Sequence, residues 1–430
     1  MLIKNIFTYL YFVLLILLSI FSRSFAGLYI SQFRLGELLI GGALVSYLIF
    51  FIFGRSKILK LVPNFLIVNQ LKIIFFSTFF LLVFNSTKDF DLGSIRRSSY
   101  VWTLIFLLFG AYLLKDLDKP IQSYIFAINL VALYLFSYGY YPNFIIDFFK
   151  QFSDKFDFIK ASDIFLSLLV ANQIVIRSGF NKKISLVFTI FSSFAFLPYF
   201  ISQSRGSTLA CLVFMFIFLY EMRNTLIKYK IFTFITLIGG LIIFIFSTLL
   251  ITQRIENNLV FEGNFQNEIV VAVDDNLKNK NIKEGFFGFY LQDGRLMSKD
   301  NTTNWRLDIW QDLFWDLNSN GNILIGYGFD SIFPVMLDPT APGRLGRDGL
   351  NENVHNYFVN ILGRGGLLQL ILFIILYFTI IKNWMKIESK AMIFSYLIPV
   401  LIVSSLDVTM EGVQFPIIFY SYLGLFAYSD

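Results

Sequence analysis

The chain has 430 residues, of which 56% are hydrophobic, 19% aromatic and only 15% charged. A soluble globular domain carries about 25% charged residues, so this composition excludes a soluble enzyme, a disordered chain and a disulfide scaffold. The apolar residues fall in long runs, such as 231–250 and 367–381. A helix needs about 20 apolar residues to cross a bilayer, and a transmembrane β-barrel would instead show alternating polarity. We therefore predict an all-α polytopic membrane protein.

Twelve apolar runs predict about twelve transmembrane helices. The runs are 6–22, 36–53, 65–84, 99–114, 121–138, 161–177, 184–200, 207–220, 231–250, 357–381, 391–406 and 413–428. The first run also has features of a cleaved signal peptide, because Lys4 precedes it and Ser24-Phe25-Ala26 has small residues at the cleavage spacing. We favour an uncleaved helix, since eleven further runs follow.

The distribution of basic residues predicts the orientation of these helices. The two sets of short loops on opposite sides of the runs hold 15 and 9 lysine and arginine residues. Short cytoplasmic loops are the ones enriched in lysine and arginine. We therefore expect the richer set and both termini to lie in the cytoplasm.

One long loop divides the chain into helices 1–9 (residues 1–250), a loop of 106 residues (251–356) and helices 10–12 (357–430). The predicted orientation places this loop in the periplasm. It holds 9 basic and 15 acidic residues, and a loop of this length is usually functional or disordered. Residues 276–281 are polar and predict a mobile first half. Residues 301–318 predict an amphipathic helix, and one face of it carries Ile309, Trp310, Leu313, Phe314 and Leu317.

A second outer segment, 142–160, predicts a helix that lies flat in the membrane interface. Phe144, Phe148, Phe152 and Phe156 recur every fourth residue, with charged residues between them. Such a helix could border a lateral opening to lipid, although a simple surface anchor is the favoured interpretation.

The only histidine, His355, lies just before the tenth run, at the predicted outer face. Histidine serves as a general base without special tuning of its pKa. The alternatives are a surface histidine without a catalytic role, or a loop carboxylate such as Asp330 or Glu352 as the base. With one histidine and one cysteine, Cys211, the chain has no intrachain disulfide and too few such ligands for zinc. A hard cation held by carboxylates stays possible.

Two arginines are candidates for binding a phosphate. Arg205 lies in a short outer turn, 202–207, and Arg306 lies in the predicted amphipathic helix one turn before Trp310. The guanidinium group suits phosphate. The alternatives are an interfacial Arg205, and a surface ion pair of Arg306 with Asp308 or Asp312.

Four short motifs together resemble the bacterial O-antigen ligase and O-antigen polymerase superfamily, mainly over residues 184–381. They are Ser204-Arg205-Gly206, Arg306-Leu307-Asp308-Ile309-Trp310, Gly326-Tyr327-Gly328-Phe329 and His355-Asn356-Tyr357-Phe358. By itself, Gly326-Tyr327-Gly328 more often marks a turn than a phosphate site. The chain departs from the family pattern at Gly363-Arg364-Gly365-Gly366, where the arginine is unusual.

The resemblance implies a glycosyltransferase that uses a glycan carried on undecaprenyl diphosphate. The glycan would pass to an acceptor hydroxyl with inversion, without a metal or another cofactor. Arg205 and Arg306 would stabilise the diphosphate leaving group, and His355 would deprotonate the acceptor. The implied substrate-binding residues are Arg205, Arg306, Trp310, Asn356, Gly326 and Gly328.

The acceptor stays open between another lipid-linked repeat unit, for a polymerase, and lipid A–core, for a ligase. The implied location is the bacterial inner membrane, with the active site facing the periplasm. The expected partners are the bilayer and polysaccharide assembly machinery, with no nucleic acid. The competing interpretation is a lipid-linked oligosaccharide flippase or another polysaccharide transporter. Transporters place ionisable residues at mid-membrane, and Lys72 and Arg364 are both near enough to helix ends to reach the interface.

Overall fold

The computed structural model describes residues 2–53, 65–84, 92–153, 160–260, 288–329, 332–338, 341, 344 and 352–428. Two compact units make up the chain. The first unit consists of Met1–Phe75, Ser99–Arg254 and Leu376–Asp430. The second unit consists of Phe76–Ser98 and Ile255–Ile375.

The described residues are mostly helical, which confirms the predicted all-α class. In chain order the helices are α1 (Leu2–Ala26), α2 (Leu35–Phe53), α3 (Phe65–Phe84), α4 (Leu92–Arg97), α5 (Ser99–Trp102), α6 (Phe106–Leu113), α7 (Lys119–Ser137), α8 (Asn143–Phe152), α9 (Ala161–Arg177), α10 (Lys182–Gln203), α11 (Arg205–Glu221), α12 (Arg223–Lys228), α13 (Lys230–Val260), α14 (Asn301–Ser319), α15 (Tyr357–Trp384), α16 (Lys390–Leu406) and α17 (Gln414–Tyr428). Short 3₁₀ turns cover Thr103–Ile105, Leu114–Asp116 and Pro334–Met336.

Seven helical segments among the described residues are long and apolar enough to cross a membrane, if Ser99–Asp116 is taken as one segment, and Leu35–Phe51 and Lys390–Leu406 are shorter apolar helices. All twelve predicted runs contain helix. The number of membrane crossings, the orientation and the periplasmic position of the long loop stay predictions.

The run predicted as one helix over 99–114 is broken into α5, a 3₁₀ turn and α6. Close packing against α17 accompanies the break. A Cβ at Gly110 would lie 1.8 Å from the carbonyl oxygen of Ser421, and one at Gly424 would lie 2.0 Å from that of Leu107. The two backbones therefore approach as only glycine permits.

Buried polar side chains connect helices of the first unit. Asn129 donates to Ser19 Oγ at 2.8 Å, and Ser19 and Ser167 share a hydrogen bond of 2.6 Å. Ser22, whose φ of 48° kinks α1, donates to Asp163 Oδ2 at 2.5 Å. Hydrogen bonds of this kind satisfy polar groups among apolar helices.

Two antiparallel hairpins interrupt the helices. Strands β1 (Tyr29–Ile30) and β2 (Phe33–Arg34) pair with Ile30 opposite Phe33. Strands β3 (Phe289–Gln292) and β4 (Arg295–Ser298) pair with Gln292 opposite Arg295. Our sequence analysis missed both hairpins, although the Asp293-Gly294 turn of the second, with φ of 51° and 76°, is a recognised hairpin signal.

The outer segment predicted as an interfacial helix is helical over Asn143–Phe152. Phe144, Phe148 and Phe152 are exposed, whereas Phe149 is buried. Phe156 and the predicted mobile segment 276–281 lie outside the described residues. The helix is confirmed, and its position in the membrane interface stays a prediction.

Candidate functional site

Helix α14 carries Arg306 and has a buried apolar stripe, as predicted. Its N-cap, Asp300, accepts a hydrogen bond from the Thr303 amide at 2.9 Å. One face packs into a core of the second unit made of Ile309, Leu313, Leu317, Phe333, Val335, Met336 and Val354. The prediction was wrong for Phe314, which is 48% exposed, because it lies beside the stripe that the neighbouring segments cover.

The acidic residues next to Arg306 are ion-paired with other arginines. Arg295 Nη2 lies 2.6 Å from both Asp308 Oδ1 and Asp312 Oδ1. Buried Arg344 contacts the second oxygen of each carboxylate. Asp308 and Asp312 are four residues apart, so they lie on one face of α14. The two carboxylates considered as ion-pair partners of Arg306 are thus paired with Arg295 and Arg344.

Two tryptophans of α14 contact the segment that carries His355. The ring of Trp305 meets the imidazole edge to face, with centroids 5.1 Å apart. Trp310 Nε1 donates to the carbonyl oxygen of Val354 at 2.6 Å. His355 itself has a φ of 55°, a conformation that non-glycine residues rarely adopt. The structure thus brings the helix of Arg306 and the segment of His355 together in one unit.

Asn356 begins the long helix α15. Its side-chain oxygen accepts hydrogen bonds from the amides of Phe358 at 3.0 Å and Val359 at 3.2 Å. This is helix N-capping, and it orients the residue immediately after His355. Asn356 caps α15 and Trp310 bonds the Val354 carbonyl, so both residues have a structural role. Direct binding of substrate by either residue stays a prediction.

The segment 323–328 fills a break in α15. Gly366, with a φ of 67°, interrupts the helix. The carbonyl groups of Gly363 and Arg364 instead accept from Tyr327 and Gly328 at 2.8 and 2.9 Å. In exchange, Leu367 and Leu368 donate to Ile323 and Leu324 at 2.9 and 3.2 Å. The segment thereby forms hydrogen bonds with backbone groups that the break deprives of their partners within the helix.

These hydrogen bonds favour a turn at Gly326-Tyr327-Gly328 over a phosphate cradle. The Gly326 amide donates to Asn322 at 2.7 Å, so all three amides of the motif are bonded within the chain. Gly326 and Gly328 have φ of 71° and 74°. The predicted substrate-binding role of these two glycines stays a prediction.

Arg364, the departure from the family pattern, is only 2% exposed. Its Nη1 donates to the Gly328 carbonyl at 3.3 Å, and its guanidinium lies 4.0 Å over the ring of Phe333. We had considered that Arg364 reaches the membrane interface, and this was wrong. The break at Gly366 gives the guanidinium a carbonyl partner inside the protein.

Arg97 was missed by our sequence analysis and supports the same segment. It donates to the Phe329 carbonyl at 3.1 Å and to Glu352 Oε2 at 3.1 Å. Arg96 lies 3.9 Å from the other oxygen of Glu352. Glu352, considered as an alternative base, is thus held in ion pairs, and Asp330 lies outside the described residues. Only a count of basic residues drew attention to Arg96 and Arg97 in the sequence.

Arg205 belongs to the first unit, where it is the first residue of α11. Ser204 alone separates α10 from α11, and its side chain accepts from the Ser207 amide at 3.2 Å. Our prediction of a six-residue turn was too long. A Cβ at Gly206 would lie 3.1 Å from the Leu406 side chain, so α11 packs tightly against the end of α16.

Among the described residues, no group of three or more histidine, cysteine, aspartate and glutamate side chains could hold a metal ion.

Residues 190–374 match the family model described as O-antigen ligase. This match confirms the resemblance of the motifs to the O-antigen ligase and O-antigen polymerase superfamily. The match includes all the motif residues from Arg205 to Phe358 and the break in α15. No curated protein matches the chain.

Proposed function

We propose that this membrane protein of the O-antigen ligase and polymerase type transfers a glycan from undecaprenyl diphosphate to an acceptor hydroxyl at the periplasmic face. One observation carries the proposal: Trp305 and Trp310 join the helix of Arg306 to the segment of His355. These residues lie inside the segment that matches the family. A cation for a leaving diphosphate and a base for a hydroxyl are the two groups that such a transfer needs.

In the proposed reaction, the acceptor oxygen attacks the anomeric carbon as the bond to the diphosphate breaks. His355 takes the proton of the acceptor hydroxyl, and the diphosphate departs with the electron pair of the broken bond. Arg306 and Arg205 stabilise the negative charge that develops on the leaving group. Attack from the opposite face inverts the anomeric centre. The donor and acceptor are both membrane-bound in bacterial surface polysaccharide assembly at the inner membrane.

A flippase or another polysaccharide transporter is less well supported. Arg364, one of the two charged residues considered for a transport path, has a structural partner in the Gly328 carbonyl. The other, Lys72, lies 5.5 Å over the ring of Phe51, as a cation–π pair. Both contacts give these charges a structural role without transport. The choice between polymerase and ligase depends on the acceptor, which these residues do not report.

His355→Asn is the sharpest test of the proposed chemistry. Asparagine tolerates the positive φ of this position better than alanine does, and it cannot serve as a base near neutral pH. With a purified chain, a lipid-linked donor and an acceptor, we expect a loss of transfer of about 100- to 10,000-fold. Thermal unfolding and donor binding should be close to those of the wild type.

Robust transfer by His355→Asn would show that His355 is not the base and would assign that role to a carboxylate. The exposed residue Asn320 serves as a control, because its side-chain amide donates hydrogen bonds to the nearby side chains of Asp316 and Tyr327. Asn320→Ala is therefore a matched control outside the proposed chemistry and should retain near-normal transfer. Donor flipping across vesicles by a protein inactive in transfer would instead support the transporter.

A further inference from the structure

An open groove lies in the first unit between α7, α10 and α13. Its volume is about 900 Å³, which is in the range of sites for small molecules. The walls are almost entirely apolar and include Ala127 and Val131 of α7, Phe188 and Phe191 of α10, and Phe246 of α13. All three helices are long and apolar enough to cross a membrane, so we expect the groove to lie in the hydrocarbon region.

Polar groups along the walls are bonded within the protein. The hydroxyl groups of Tyr134 and Ser247 share a hydrogen bond of 2.8 Å between α7 and α13. Ser192 accepts from Asn172 at 3.2 Å. These groups need no polar partner from an occupant. The main part of the groove therefore suits an apolar chain.

One end of the groove is cationic. Lys183 and Asn181 line it there, and Asn181 caps α10 by accepting from the Lys183 amide at 3.0 Å. The Lys183 ammonium lies 4.0 Å from the ring centre of Tyr229 and 5.4 Å from that of Phe232. The aromatic rings hold this charge at the mouth of the groove. The helix N-terminus adds partial positive charge at the same place.

The dimensions favour a lipid chain over a protein helix. The lining residues Lys183 and Phe196 of α10 are about 20 Å apart along the helix axis. The volume divided by this length gives a mean cross-section of about 45 Å², roughly half that of a helix 10–12 Å across. A helix of this width would therefore not lie wholly within the groove.

We propose that this groove binds an anionic phospholipid, with an acyl chain along α7, α10 and α13 and its phosphate at Lys183. Under the predicted orientation, Lys183 lies at the cytoplasmic leaflet, opposite the face of the proposed transfer. The site thus differs from that of the glycan donor. The proposed lipid site does not depend on the transfer reaction. Many large apolar side chains of α13 are exposed, so a bound lipid would make the packing of α13 depend on the lipid composition.

The test is native mass spectrometry of the purified full chain with phosphatidylglycerol and phosphatidylcholine of identical acyl chains. We expect the wild type to retain phosphatidylglycerol about fivefold more than phosphatidylcholine, the ratio for ~1 kcal/mol per lysine at a membrane surface. Lys183→Gln should abolish this preference. Ala127→Trp should fill the groove and reduce retention of both lipids.

Two matched controls should behave as the wild type. Lys386→Gln removes an exposed lysine that does not line the groove, and Ile128→Trp places the same side chain on the exposed side of α7. Thermal unfolding of each variant checks that it is folded. Equal retention of the two lipids by the wild type, or retention unchanged in both groove variants, would overturn the proposal. A dimer cross-linked through Val131→Cys would also overturn it, because a second copy would then occupy the groove.

Discussion

Arg364 donates a hydrogen bond from Nη1 to the carbonyl oxygen of Gly328, 3.3 Å away, from within the break in α15. The guanidinium is buried, and the ring of Phe333 covers it at 4.0 Å. Arg97 bonds the next carbonyl, that of Phe329, at 3.1 Å. Two cations thereby hold the segment that fills the broken helix.

Arg364→Met should lower the free energy of unfolding, because it leaves the Gly328 carbonyl without this charged donor. Hydrogen bonds to charged groups contribute about 1.5–3 kcal/mol. Chemical or thermal unfolding in detergent measures the loss. Arg96→Met is the control, since Arg96 is half exposed and its ion pair with Glu352 is long, at 3.9 Å. This substitution should change the free energy of unfolding by less than about 1 kcal/mol. Equal effects of the two substitutions would contradict the structural role of Arg364.

Gly326→Ala should destabilise the protein more than Gly321→Ala does. Both glycines have positive φ, of 71° and 69°, so both substitutions carry the same backbone strain. Only at Gly326 would the new Cβ overlap another group, at 2.5 Å from the Arg364 carbonyl oxygen, whereas nothing lies within 4 Å at Gly321. The difference in the free energy of unfolding should be about 1–3 kcal/mol. A difference near zero would show that segment 323–328 is not packed against α15.

Arg306→Lys and Arg205→Lys should each reduce transfer by roughly 100- to 1000-fold. Lysine keeps the charge but lacks the planar fork that binds phosphate oxygens in pairs. Arg295→Lys is the matched control, because Arg295 pairs with Asp308 and Asp312 and lysine can keep such a pair. Initial rates at equal protein level would decide. Near-normal transfer by Arg306→Lys or Arg205→Lys would contradict the proposed binding of diphosphate by that arginine.

The raised pKa of the buried Glu411 carboxyl group should make the stability of the protein depend on pH. Burial raises the pKa of this carboxyl group from its ordinary 4.5 to about 7, and the charge of Asp407 acts in the same direction, against Lys160 and two backbone amides. The folded protein therefore holds a proton that the unfolded chain has lost between about pH 4.5 and 7. Stability from this group is complete below pH 4.5 and declines as the pH rises towards 7.

Glu411→Gln should remove this decline. The unfolding temperature of the variant should exceed that of the wild type by an amount that grows from pH 5 to pH 7 and then stays constant. Measurements of both proteins across this range provide the check. Asp407→Asn, which keeps Glu411 but removes the acidic group whose charge raises its pKa, should weaken the effect. A difference that is constant with pH would contradict the raised pKa of Glu411.

The predicted orientation can be tested with a cysteine at Ser319, an exposed residue at the end of α14. In a Cys211→Ala background, a membrane-impermeant maleimide should label Ser319→Cys in intact cells with a permeabilised outer membrane. A cysteine at exposed Lys228 should react only after lysis. The reverse pattern would invert the orientation and place the long loop in the cytoplasm.

The sequence alone determined the helical membrane class and the amphipathic helix at 301–318. Both depend on local properties, namely the length of an apolar run and the spacing of apolar residues along one helix. The four motifs likewise predicted the resemblance that the family match over residues 190–374 confirms, because a motif is a property of neighbouring residues.

Only the tertiary structure decided how these elements are held together. Arg364 looked like a residue near a helix end, yet the break at Gly366 and the segment 323–328 bury it against Gly328. Nothing local in the sequence pairs residues 323–328 with 363–368, since hydrogen bonds across about 40 residues form only after the chain folds back. For the same reason, the contact of Trp305 with His355 became visible only when α14 packed against the segment before α15.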